Sequence, residues 1–214
     1  MTTRFEADTA VRPEGDGLFA LNVDGDWNGP QGPNGGYVAA LLLRAITTAV
    51  NDPERCFLSV TFHYPGRPNG GPASAEVAAE HRGRSVTFAT GTIRQEGLAR
   101  MGAETRSGGW VRFSRVTAQA RFRLPTNTWA WRWRTAGSRH SSAVSLGTWA
   151  STVDFTIHFP SPPIPKYVDW VLANFRSDVA GDGMVIEDGE LWTNDGRLLA
   201  ISRQMCIIKH TVPA

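Results

Sequence analysis

The chain is predicted to be α+β, with one buried helix followed by antiparallel strands and the strand portion present twice. Three observations carry this. The segment Thr61–Pro68, TFHYPGRP, has a near copy 95 residues later at Thr156–Pro163, TIHFPSPP. Both read Thr, any residue, His, aromatic, Pro, two residues, Pro, which is the trace of a duplicated unit. The segment Tyr37–Val50, YVAALLLRAITTAV, holds strong helix formers with Arg44 as its sole charge, and a helix apolar on nearly every side is a buried one. Thr193–Asn194–Asp195–Gly196 is a hairpin turn with Gly placed for positive φ. It matches Gln95–Glu96–Gly97 at an offset of 99. A helix against antiparallel strands implies a curved sheet wrapped around that helix.

In chain order, residues 1–26 read as a lead-in strand and turn. Trp27–Gly36, WNGPQGPNGG, carries four glycines and two prolines and is expected to be irregular. It delivers the chain into the helix at Tyr37–Val50. Gly35 and Gly36 at the helix start leave backbone amides accessible where the helix dipole favours partial negative charge; tight packing in a turn accounts for them equally well. Strands are expected at Phe57–Tyr64, Ala75–His81 and Ser85–Gln95. In the second half they are expected at Ser151–Phe159, Tyr167–Arg176, Met184–Thr193 and Arg197–Ile208. The helix has no clear copy. At the repeat offset it falls near Arg132–Ser145, RWRTAGSRHSSAVS, which has little apolar periodicity.

Composition limits the class of protein. With 41% hydrophobic and 20% charged residues among 214, the chain reads as a soluble globular protein. No apolar run approaches the ~20 residues that span a bilayer, and MTTRFEADTA lacks the apolar core of a secretory signal. Cys56 and Cys206 are too few for a disulfide framework, which suits a reducing cytoplasm. Charge is unevenly placed: no acidic residue stands between Glu104 and Asp154, while eight arginines do. Within that interval Trp129–Arg134, WAWRWR, resembles a membrane-surface or nucleic-acid-binding peptide, or a source of Arg for phosphates. A disrupted insert of reading-frame origin accounts better for an acid-free interval between recognisable flanks. The expected organisation is therefore an N-terminal unit at 1–104, an atypical Arg- and Trp-rich linker or degenerate helix region at 105–150, and a C-terminal sheet at 151–214.

The order of glycine-rich entry, buried helix, SVTFHYPGRP, TVDFTIHFPSPP and DGELWTNDGRLLAISRQ resembles the acyl-CoA thioesterase II family of double hotdog proteins. The likeness covers residues 17–100 and 148–209, and Asp188–Gln204 is its most specific part. It implies two tandem hotdog units and hydrolysis of the thioester of acyl-coenzyme A. It also implies an Asp, a Gln and a hydroxyl residue positioning the attacking water. By motif these are Asp154 in TVDFTIHF, Gln204 in AISRQ and Ser177 in FRSD. Relatives carry an apolar helix where this chain has its Arg-rich interval. The alternative is therefore a non-catalytic hotdog protein that binds acyl groups or a protein partner.

The residue chemistry agrees with those roles. Thioester hydrolysis needs a base for water, groups that aim it, and donors for the oxyanion. Asp154 can accept the proton, and Gln204 can both donate and accept. Alternation places Gln204 with Leu198, Ala200, Ser202, Cys206 and Ile208, and Asp154 with Thr152, Thr156 and His158. The first half has Ser59 and Thr105 at the positions of Asp154 and Gln204, so one working site per chain is expected, with Gly35 or Gly36 offering an amide to the thioester oxygen. His63 and His158 are equivalent in the repeat, which points to a structural role, and no metal site is expected. No cofactor is implied. The expected ligand is acyl-CoA, not nucleic acid, with no stable membrane insertion. An exposed sheet edge favours a homo-oligomer.

Overall fold

The computed structural model describes residues 2–29, 32–108, 121–123, 148–160 and 170–210. They belong to two compact units, one running to residue 108 and the other holding the described residues from 121 onward. No helix among the described residues is long and apolar enough to cross a membrane.

The first unit opens with a short helix, α1 (Arg4–Asp8), ahead of the expected lead-in strand. Its cause is legible in Thr3-x-x-Glu6. The Thr3 hydroxyl accepts the Glu6 amide at 3.1 Å and the Glu6 carboxylate accepts the Thr3 amide at 2.8 Å, a reciprocal capping box. Strands β1 (Arg12–Gly15) and β2 (Leu18–Val23) follow, then a 3-10 turn at Gly25–Trp27. The glycine-rich entry is less irregular than expected. Its ends pair as two-residue strands, β3 (Asn28–Gly29) and β4 (Gly32–Pro33).

Helix α2 (Gly35–Val50) begins two residues earlier than its apolar pattern predicts, because Asn34 caps it. The Asn34 side-chain oxygen accepts the amides of Gly36 at 2.9 Å and Tyr37 at 3.3 Å, two donors that the first turn cannot satisfy internally. Asn51 ends the helix in the left-handed conformation. Leu41, Leu42, Ala45 and Ile46 are essentially inaccessible, each large one contributing roughly 1.5–3 kcal/mol by burial. Burial is one-sided within this unit, since Gly36, Arg44, Thr47 and Thr48 are exposed.

The helix lies on a sheet ordered β1-β2-β6-β7-β8-β5, where β5 is Phe57–His63, β6 Gly71–Arg82, β7 Val86–Gln95 and β8 Leu98–Gly108. Thr87, Ala89, Ile93 and Gln95 alternate as the buried face of β7. Between them Gly91 makes room for the helix: a Cβ there meets Leu42 at 2.9 Å and Ile46 at 3.1 Å.

The second unit carries β9 (Arg121–Arg123), β10 (Thr148–His158), β11 (Trp170–Gly181), β12 (Met184–Thr193) and β13 (Leu198–His210), ordered β10-β13-β12-β11-β9. Every neighbouring pair is antiparallel. The order β6-β7-β8-β5 in the first unit is the order β11-β12-β13-β10 in the second. Even the irregularities repeat. An extra residue falls at Leu58 and Val153, at Ala79–Glu80 and Ser177–Asp178, and at Arg100 and Leu199. Bulges recur where a strand must bend or re-aim a side chain, and three matched bulges extend the duplication read from TFHYPGRP and TIHFPSPP. His63 and His158 end β5 and β10 with exposed side chains. The helix position near 132–145 and the WAWRWR segment lie outside the described residues; 105–108 and 148–150, assigned to the atypical interval, continue β8 and β10.

Candidate active site

In the second unit, four neighbouring strands bring a row of polar residues together. Glu187 sits mid-β12, in register with Gln204 on β13. On its other side it stands opposite the bulged residues Ser177 and Asp178 of β11. Gln204 is in register with Phe155 of β10. The Gln204 side-chain nitrogen donates to the Glu187 carboxylate at 2.7 Å, and its oxygen accepts from the Thr152 hydroxyl at 3.1 Å. The Thr152 hydroxyl also lies 3.8 Å from the Cys206 sulfur. Because that hydroxyl has one proton and gives it to Gln204, the thiol is the donor to Thr152.

The row lies on the face equivalent to the helix-bearing face of the first unit. Glu187 corresponds to Ala89, which is 2% exposed beneath α2. Ser177 is 8% exposed, while Glu187, Gln204 and Thr152 are half-buried. Burial raises the Glu187 carboxyl above the ordinary glutamate range, opposed by the hydrogen bond from Gln204. The Cys206 thiol is also pushed up, first by burial and then by the charges of Glu187 and Asp154. A raised thiol stays protonated and able to donate.

Strict alternation along β10 puts Asp154 with Thr152, and here the structure corrects it. The extra residue at Val153 separates the two: Thr152 is in register with Cys206, Asp154 with Met205. Residues in register share a face, so beyond the bulge Thr156 and His158 go with Arg203 and Ile201, Thr152 goes with Gln204, and Asp154 stands at the bulge itself, where the phase changes. That other face carries the Asp188–Arg203 ion pair, at 2.7 and 2.9 Å. The bulge at Leu199 likewise shifts Leu198 into register with Trp192, whereas Ser202, Gln204 and Cys206 keep the expected phase. Of the three residues carried by the motif, Gln204 and Ser177 both flank Glu187. Asp154 stands immediately after a bulge, its charge felt at Cys206.

Glu187 and Thr152 are absent from the motif-based set. The usable signal for Glu187 is its phase: on β12 it alternates with Val185, Gly189 and Leu191, a carboxylate among apolar and small residues. In the first unit, Gly36 gives its amide to Asn34, and the Tyr64 hydroxyl donates to the Gly35 carbonyl at 3.4 Å. Burial raises the Tyr64 pKa.

Comparison with known proteins agrees with this architecture. The model of the acyl-CoA thioesterase C-terminal domain family matches residues 65–208, well over half of the chain. A candidate thioesterase II of Thermobifida fusca YX superposes with a TM-score of 0.79 at 21% identity, covering 98% of each chain. A conserved hot dog fold protein of unknown function from Alicyclobacillus acidocaldarius gives 0.79 at 22% identity over 100% of each chain. The acyl-CoA thioesterase II TesB2 of Mycobacterium marinum gives 0.71 at 13%, covering 98% of each. No curated protein matches the chain in sequence. The neighbours and the repeated strand order together give a double hotdog fold, and the chain belongs to the acyl-CoA thioesterase II family.

Proposed function

We propose that this protein hydrolyses the thioester of acyl-coenzyme A to the free acid and coenzyme A, using water aimed by Asp154, Gln204 and Ser177. The observation that carries the reading is Gln204, a half-buried amide held at both ends within a family of thioester hydrolases. A carboxamide fixed in this way keeps one N–H and one oxygen lone pair for a ligand. Asp154 takes a proton from the water as its oxygen attacks the thioester carbonyl carbon. The C–S bond then breaks, and the proton passes to the departing sulfur. Ser177, buried in its bulge, supplies a hydroxyl to the same water. For substrate binding the proposal retains Gly35 and Gly36. Asn34 holds the Gly36 amide, so the donor left to a ligand at the start of this helix is that of Gly35.

The test is thiol release from acyl-CoA over a range of chain lengths. Turnover by the wild type and its loss in Asp154→Asn support the mechanism. Unchanged turnover in that variant removes Asp154 from it. Absence of thiol release at every chain length rejects hydrolysis and favours a non-catalytic hotdog protein that binds acyl groups or a protein partner.

A further inference from the structure

We propose that Glu187 is a positioning residue that fixes the orientation of the Gln204 amide, and so decides which of its atoms meet the attacking water. The proposal rests on the hydrolytic reading above. A carboxamide is nearly symmetric in shape, and a half-turn about its last torsion exchanges oxygen for nitrogen. What chooses between the two states is the chemistry on either side. An ionised carboxylate only accepts, so Glu187 admits the NH₂ end of Gln204 and rejects the oxygen end. The observed 2.7 Å contact is that choice. With nitrogen committed to Glu187, the Gln204 oxygen faces the Thr152 hydroxyl, which donates at 3.1 Å. Thr152 then accepts from Cys206. Four side chains on three strands form one chain of hydrogen bonds, all running toward Glu187.

The other half of the duplication shows what the position does without this role. Ala89, the counterpart of Glu187, is packed beneath a helix at 2% exposure, and its partner across the ladder is Thr105. The carboxylate and the amide are thus present together in one unit and absent together from the other. An acid facing the core side of a sheet carries a desolvation cost unless it has work or a partner. Here its hydrogen-bond partner is the proposed water-binding amide.

The test uses the full chain and butyryl-CoA and lauroyl-CoA as substrates. Glu187→Gln keeps the shape but lets either end of Gln204 bond to it. It is expected to lower kcat tenfold or more with KM within twofold. In a Gln204→Ala background the same change is expected to do nothing further, because Glu187 acts only through that amide. An equal loss in both backgrounds, or an unchanged kcat in the single variant, overturns the proposal. Thr152→Val, which removes the other anchor and conserves shape, is expected to give a similar loss. A second readout is independent of turnover: the Gln204 side-chain NH₂ resonances should shift as pH crosses the Glu187 ionisation, and the shift should vanish in Glu187→Gln. If no thioester is hydrolysed, the functional reading fails by itself and the resonances decide the positioning; NH₂ signals indifferent to Glu187 reject it.

Discussion

Ala89 and Glu187 occupy one position in two copies of a sheet, the first 2% exposed under a helix and the second bonded to the amide of Gln204. The exchange of methyl for carboxylate brings a titration into a face otherwise built for packing. Burial raises the Glu187 pKa, and the groups beside it are the bulged Ser177 and Asp178 of β11, Gln204 and Cys206 of β13, and Thr152 of β10, with the charge of Asp154 acting on Cys206.

Activity and stability should therefore move in opposite directions with pH. The amide is oriented only while Glu187 is ionised, so kcat should fall as pH drops through a point above the ordinary glutamate range. Stability has the reverse sign. A carboxyl whose folded pKa is raised stabilises the protein below its unfolded pKa, and that contribution is lost as pH rises through the folded value. A kcat–pH profile and a melting-temperature–pH profile over the weakly acidic range measure the two. Glu187→Gln should flatten both; a kcat acid limb unmoved by that substitution assigns it to another group.

Asp154→Asn is expected to lower kcat by roughly 10²–10⁴-fold, the usual contribution of a general base. Its thermal midpoint should shift little, since Asp154 is part-exposed and makes no side-chain hydrogen bond or ion pair among the described residues. Steady-state kinetics beside a melting curve separates loss of chemistry from loss of fold.

Gly91 and Gly189 form a second matched pair, 98 residues apart. A Cβ at Gly189 meets the Phe175 ring at 2.5 Å and the Ser202 hydroxyl at 2.6 Å, tighter than the 2.9 Å that Gly91 would find to Leu42. Gly189→Ala should destabilise the second unit by about 1–3 kcal/mol, the range for overpacking. Gly91→Ala should cost less, because the Leu42 methyl is the far end of a flexible chain. Denaturant midpoints of the two variants rank them; the reverse order shows that the ring yields more easily than the helix.

Much of this architecture is legible in the sequence, and the parts that are not share a cause. The helix shows because Leu41, Leu42, Ala45 and Ile46 recur at helical spacing, and the second hairpin because Asn194, Asp195 and Gly196 have turn chemistry. Face assignments fail at Val153 and Leu199, since one inserted residue reverses the phase of everything beyond it, and an apolar residue in an apolar run does not advertise a bulge. The two copies share the feature in the structure, Leu58 being bulged as Val153 is. The motif points to Gln204, which stands in the polar row, whereas Glu187, outside that motif, shows only as a charge in an apolar phase. The N-terminal helix was hidden by brevity, its one signal being Thr3 followed by Glu6.

Ser177→Ala gives the last check on the row. Ser177 is buried, opposite Glu187, and next to the exposed Asp178 in the same bulge. If its hydroxyl helps to hold the water, the variant should lose roughly one hydrogen bond to the reacting system, about 0.5–1.5 kcal/mol, or a several-fold fall in kcat/KM. Removing one small polar atom from a half-polar site should leave the melting temperature within a few degrees. A variant that melts normally and turns over at the wild-type rate removes Ser177 from the mechanism, and leaves the water to Asp154 and the Gln204 amide.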